Sequence, residues 1–89
     1  MFLHAEHKLV AYGRFSRKEK VVVVLNNNYE DKELYLDVER LGMKNGDTLK
    51  QLMLTMEESY IMEPRTYTVE NNQIFIKLPK ISAIVLKSE

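Results

Sequence analysis

A few small groups of residues in this chain have the types and spacing to do chemistry. His4 and His7 stand three apart, the spacing at which two imidazoles on one helical turn can reach a shared metal. No third ligand lies near them, and HAEH sits at the start of the chain, where fraying is expected. The pair reads as solvent-exposed histidines, and no metal or other cofactor is expected. Glu57-Glu58 and Glu30-Asp31 are adjacent carboxylates, and glycoside hydrolysis needs two carboxyl groups roughly 5 to 10 Å apart across a sugar. Adjacent residues on an extended chain point to opposite faces, and both pairs fall in expected turns, so they read as solvated loop charge. RFSRKEK sets Arg14, Arg17, Lys18 and Lys20 beside Tyr12 and Phe15, a weak version of a basic and aromatic nucleic-acid surface. Glu19 interrupts it, and a polar hairpin is the simpler reading. Met53, Met56 and Met62, with Tyr60, form a soft apolar group of the kind that fills cores.

The composition narrows the classes further. In 89 residues there is room for one domain with a modest core. Thirteen Lys plus Arg balance thirteen Asp plus Glu, so no global field recruits nucleic acid or an anionic membrane, and neither is expected as a partner. Cysteine is absent, which removes disulfides, thiolate metal sites and thiol nucleophiles. No Gly-rich phosphate loop or Ser-His-Asp set is present. The N-terminal MFLHAEHKLVAYGRF carries charge within every short apolar run, so it is expected to be neither a signal peptide nor a membrane span. The sequence does not name a compartment; the working expectation is a cytoplasmic one.

Positioning these groups falls to a series of short strands. Leu9 to Phe15 alternates, with Leu9, Ala11 and Phe15 against Val10, Tyr12 and Arg14. SRKEK turns the chain into Val21 to Leu25, whose β-branched run is the strongest strand signal. NNNYEDK ends that strand, asparagine being at home in turns. Leu34 to Val38 alternates as a half-buried strand should, and Asn45-Gly46 marks a turn. Leu49 to Leu54 reads as a strand, although Leu49, Leu52, Met53 and Met56 also fit helical spacing. Arg65 to Val69 and Gln73 to Leu78 are expected to pair as a hairpin around ENN, and Ile81 to Leu86 closes the chain. About seven to eight strands with no βαβ alternation imply an all-β fold, an antiparallel sandwich or barrel.

Two of these strands break the alternation. In KVVVVLN, Val21, Val23 and Leu25 share one face and Val22 and Val24 the other, so both faces are apolar; Ile81 to Leu86 has the same character. One face fills the core and the other needs a cover, because each fully buried Val, Ile or Leu side chain contributes about 1.5 to 3 kcal/mol. Periodicity does not say which set is which.

The order of these elements is familiar. LVAYGRFSRKEKVVVVLNN, an alternating strand, RLGMKNGDTLKQLM and then IFIKLPKISAIVLKS together resemble the C-terminal β-domain of α-amylase-superfamily enzymes (glycoside hydrolase family 13). The likeness is strongest to the neopullulanase, cyclomaltodextrinase and α-glucosidase-like branch, and it runs from Phe2 to Leu86. Its most specific parts are Tyr12-Gly13-Arg14 ahead of a strand ending Leu25-Asn26-Asn27, and Leu78-Pro79-x-x-Ser82-Ala83-x-Val85-Leu86. Lys80-Ile81 replaces the commoner Pro-aromatic pair, and SYIMEPRTY is longer than the usual connection.

The resemblance implies an antiparallel Greek-key β-sandwich that packs against a catalytic β/α barrel. The family's catalytic Asp, Glu and second Asp lie in that barrel, and none of their motifs matches this sequence. Residues 1–89 are therefore expected to be a single C-terminal β-sandwich domain with the catalytic barrel absent, from an α-glucan-processing enzyme. The barrel is the expected partner, with Val22, Val24, Ile84, Leu86 and Tyr12 as candidates for the interdomain interface, and the same drive could pair two copies of the isolated domain as a homodimer. The alternative is a carbohydrate-binding module gripping glucan through Tyr12, Tyr29, Tyr35 or Tyr60, although the chain has no Trp and only five Tyr.

Overall fold

The alternating stretches become strands in the computed structural model of the protein. It describes residues 2–6, 8–16, 18–56, 60–61 and 65–88, with only the backbone described at Phe2, Tyr60 and Ile61. In chain order the strands are β1 (Phe2–Glu6), β2 (Leu9–Phe15), β3 (Lys20–Asn26), β4 (Lys32–Asp37), β5 (Thr48–Thr55), β6 (Tyr60–Ile61), β7 (Thr66–Thr68), β8 (Gln73–Leu78) and β9 (Ser82–Ser88). A 3₁₀ turn at Glu39–Leu41 links β4 toward β5. All pairings are antiparallel. The large sheet runs β1-β2-β3-β9-β5-β6, with β7 also paired to β5, and the small sheet is β4-β8.

The two sheets close over one core. Leu34 and Leu36 of β4 and Ile74, Ile76 and Leu78 of β8 meet Leu9, Ala11, Val22, Val24, Leu49, Ile84 and Leu86 of the large sheet. The protein is thus an all-β antiparallel sandwich. The apolar runs of β3 and β9 follow from their place in it, as these two strands pair with each other at the centre of the large sheet, Val22 against Leu86 and Val24 against Ile84.

The structure departs from the sequence reading in three places. The N-terminal segment does not fray: β1 pairs with β2 from Phe2↔Tyr12 to Glu6↔Leu9, and Leu3 packs against the core. The ENN turn exists, with Asn71 and Asn72 at φ 53 and 63 between the paired Glu70 and Gln73, as a two-residue turn with both central residues at positive φ. Its flanking strands, however, do not form the expected hairpin. β7 joins β5 in the large sheet while β8 pairs β4 in the small one, so the turn carries the chain from one sheet to the other. The final strand begins at Ser82, because Ile81 sits at φ 46, outside the extended region.

The ambiguous segment is indeed a strand, and its mixed periodicity has a physical origin. Across β5 and β9 the register shifts between Gln51, opposite Leu86, and Met53, opposite Val85. Leu52 is the extra residue of a bulge, which moves the side-chain phase by one. The apolar positions Leu49, Leu52 and Met53 therefore mimic helical spacing on an extended chain.

Candidate interaction surface

Among the described residues the hydroxyls, carboxylates and imidazoles do not converge. His4 lies on β1 with Nε2 at 3.0 Å from Glu6 Oε1, and its expected partner His7 lies outside the described residues. Glu57, Glu58, Arg17 and Met62 lie outside them too. Glu30 and Asp31 are exposed in the β3–β4 connection. The hydrogen bond from Lys32 Nζ, at 2.7 Å, and its charge hold the Glu30 carboxyl below its ordinary value, and Asp31 Oδ1 accepts from the Lys80 amide at 2.9 Å. These carboxylates serve a loop and do not face one another across a cleft. Among the described residues no three His, Asp or Glu side chains could hold one metal ion.

The asparagines after β3 do more than end it. Asn26 is buried, its Nδ2 donating to the carbonyls of Pro79 (2.9 Å), Glu30 (3.2 Å) and Leu78 (3.5 Å). Its Oδ1 accepts from the Asn28 amide (3.1 Å) and Asn28 Nδ2 (2.9 Å). This one side chain ties the end of a large-sheet strand to the connection that leaves the small sheet. The sequence reading missed it, because only its burial separates Asn26 from its two neighbours.

What the fold does assemble is a surface. Residues of β2, β3, β9 and β5 that point away from the core line up by register into cross-strand rows. One row is Tyr12, Val23, Val85 and Met53, and the next is Val10, Leu25, Ala83 and Thr55. A third, Arg14, Val21, Lys87 and Lys50, forms a basic margin, where Lys87 Nζ pairs with Glu19 at 3.0 Å. Tyr12 is 46% and Leu25 48% exposed, and the valines and Met53 are half-buried by their own neighbours. An apolar stripe four strands wide is thus open on the outside of the large sheet.

This surface corrects the sequence assignment of contact residues. Val22 (0% exposed), Val24 (0%), Ile84 (1%) and Leu86 (0%) are the domain's own core, sealed by the small sheet, and cannot meet another domain. The residues beside them in sequence, Val21, Val23, Leu25, Ala83 and Val85, hold the outer face. Of the original set only Tyr12 is on it. The tyrosines offered as sugar ligands are scattered: Tyr12 stands on the large sheet's outer face, Tyr29 in the loop after β3 and Tyr35 on the outer face of β4, while the side chain of Tyr60 is not among those described.

The described residues thus form a small antiparallel all-β sandwich with an apolar stripe on the outer face of its large sheet. The comparisons with known proteins agree. Residues 2–89 match the model of the α-amylase C-terminal all-β domain, and the chain belongs to that family. A search of curated protein sequences gives no match. Among solved structures the chain is similar to an α-amylase from Geobacillus thermoleovorans complexed with acarbose, at a TM-score of 0.76 and 15% identity, over 99% of this chain and 17% of that one. It is also similar to a GH30 endoxylanase from Clostridium papyrosolvens, at a TM-score of 0.74 and 11% identity, over 97% of this chain and 21% of that one. At these identities the likeness is one of fold, and the chain spans about a fifth of either enzyme.

Proposed function

We propose that this chain serves as the non-catalytic C-terminal domain of an α-glucan-processing glycoside hydrolase, of the neopullulanase and cyclomaltodextrinase branch, and contributes no catalytic group of its own. Its task is to cover and stabilise the catalytic barrel through the outer face of the large sheet. The observation that carries this reading is the apolar stripe of Tyr12, Val23, Val85 and Met53 beside Val10, Leu25 and Ala83. Its basic margin marks where the contact ends and solvent begins. Where the barrel is missing, the same stripe pairs two copies of the chain.

The test uses an enzyme carrying this domain, with Val85→Glu in the centre of the stripe and Lys44→Glu, at an exposed position off the stripe, as the control. Val85→Glu should split the thermal transition into two and shorten the half-life of glucan hydrolysis on heating. Lys44→Glu should leave both unchanged. Equal behaviour of the two variants would refute packing through this face.

A further inference from the structure

The outer face of the small sheet is built differently. On β4 and β8 the outward residues pair as Glu33↔Lys77, Tyr35↔Phe75 and Asp37↔Gln73, so two aromatic rings sit between two polar rows. The ring centroids are 4.7 Å apart with planes inclined at 41°, and Tyr35 is 67% and Phe75 37% exposed. Beside them opens a cleft of about 300 Å³, walled by Arg65, Glu70, Asn71 and Gln73 together with the two rings. Arg65 is held there over the Tyr67 ring at 5.5 Å. Tyr67 is buried and anchored by its hydroxyl donating to Gln51 Oε1 at 3.2 Å.

We infer that this cleft is a binding site for a short stretch of α-glucan chain, with Tyr35 and Phe75 as the stacking surface and Arg65, Glu70, Asn71 and Gln73 as hydrogen-bonding groups. The chemistry matches on both counts. A pyranose ring is apolar on its C–H faces and carries hydroxyls round its edge; exposed aromatic rings take the faces, and forked or planar polar side chains take the edge. The apolar part is also the wrong size for a protein partner. A stable protein contact buries about 800 Å² on each side, whereas here two rings are enclosed by charged and amide side chains after a single residue pair. Such a site would hold substrate near the enzyme without taking part in bond cleavage. The identity of the sugar as α-glucan rests on the reading under Proposed function.

The test is titration of the isotopically labelled chain with maltoheptaose, followed by amide shifts, with xylohexaose as the comparator. Maltoheptaose at about 10 mM, a range suited to millimolar sites, should shift amides of Tyr35, Arg65, Glu70, Asn71, Gln73 and Phe75 and leave those of Tyr12 and Val85 in place. Tyr35→Ala and Gln73→Ala, both at non-core positions, should weaken binding by roughly fivefold or more in a chain that remains folded by its amide spectrum, and Tyr12→Ala should not. The inference is overturned by an absence of shifts, by shifts on the Tyr12 face, or by equal affinity in Tyr35→Ala. Binding of xylohexaose in place of maltoheptaose overturns the α-glucan assignment. None of these outcomes bears on the packing proposal, which the Val85→Glu transition decides separately.

Discussion

Replacing Asn26 with Ala should be among the most damaging single changes to a polar side chain in this domain. The Asn26 side chain donates to the Pro79 and Glu30 carbonyls at 2.9 and 3.2 Å and accepts from the Asn28 amide and Nδ2 at 3.1 and 2.9 Å, at 2% exposure. Truncation removes about two net hydrogen bonds' worth of stability, near 1 kcal/mol each, and adds about 1 kcal/mol for a carbonyl left dry beside Leu78, so about 3 kcal/mol in all. A domain of this length holds only about 4 to 13 kcal/mol. The loss should lower the melting temperature by roughly 12 to 24 °C and move the urea midpoint down at constant m-value. The neighbours provide the contrast. Asn28→Ala loses bonds to the Lys8 carbonyl and Asn26 Oδ1 at a partly exposed site and should cost about 1 kcal/mol. Asn27 is exposed, and Asn27→Ala should be neutral. Equal costs for Asn26→Ala and Asn27→Ala, or a cost below about 1 kcal/mol for Asn26→Ala, would refute the claim that this residue ties the two sheets together.

Gly13→Ala should destabilise by about 1 to 3 kcal/mol, since a Cβ there would lie 2.9 Å from both Leu3 Cδ1 and Leu41 Cδ2; thermal melts should show Leu3→Ala in the same chain cancelling part of the loss. Burial holds the Tyr67 phenol above its ordinary value, with the Arg65 charge opposing. The folded chain therefore resists ionisation that the unfolded chain accepts, and the stability this group supplies is complete below the unfolded value, about 10, and fades as pH rises through the folded one. Urea midpoints at neutral and strongly alkaline pH should consequently fall further in the parent chain than in Tyr67→Phe, whose own cost near neutrality is about 1 kcal/mol from the lost bond to Gln51.

The strand order of side chains was readable where a strand has one wet face. β2 as far as Gly13, β4 and β8 bury every second residue, and hydrophobic alternation is a direct record of that; Phe15, at the end of β2, breaks it by being exposed. It fails for β3 and β9 because both of their faces are apolar, and period two then carries no sign. Val22 and Val24 differ from Val21 and Val23 only in which layer they meet, and that is fixed by pairing and by the small sheet above them. The same limit explains β7 and β8. Turn chemistry at Asn71-Asn72 is local and legible, whereas the divergence of its two strands into different sheets depends on partners more than 15 residues away in β5 and more than 35 away in β4. Gly13 is the reverse case, a motif glycine whose reason appears only in three dimensions, where Leu3 and Leu41 pack down onto the backbone.

The two outer faces of the sandwich are chemically unlike, and that asymmetry joins the two proposals. The large sheet turns outward two adjacent rows of mostly aliphatic and aromatic side chains, with Arg14, Lys87 and Lys50 along one margin. The small sheet turns outward a single aromatic pair enclosed by Glu33, Lys77, Asp37 and Gln73. Aliphatic side chains gain most from a cover that removes water entirely, while an aromatic pair with polar neighbours is suited to a ligand that stays partly solvated. If the large sheet is the face laid against a barrel, the small sheet is turned away from that barrel, because the two faces lie on opposite sides of one core. The stripe and the cleft then do not compete for the same partner, and a glucan chain could rest on Tyr35 and Phe75 while the barrel holds Tyr12, Leu25 and Val85.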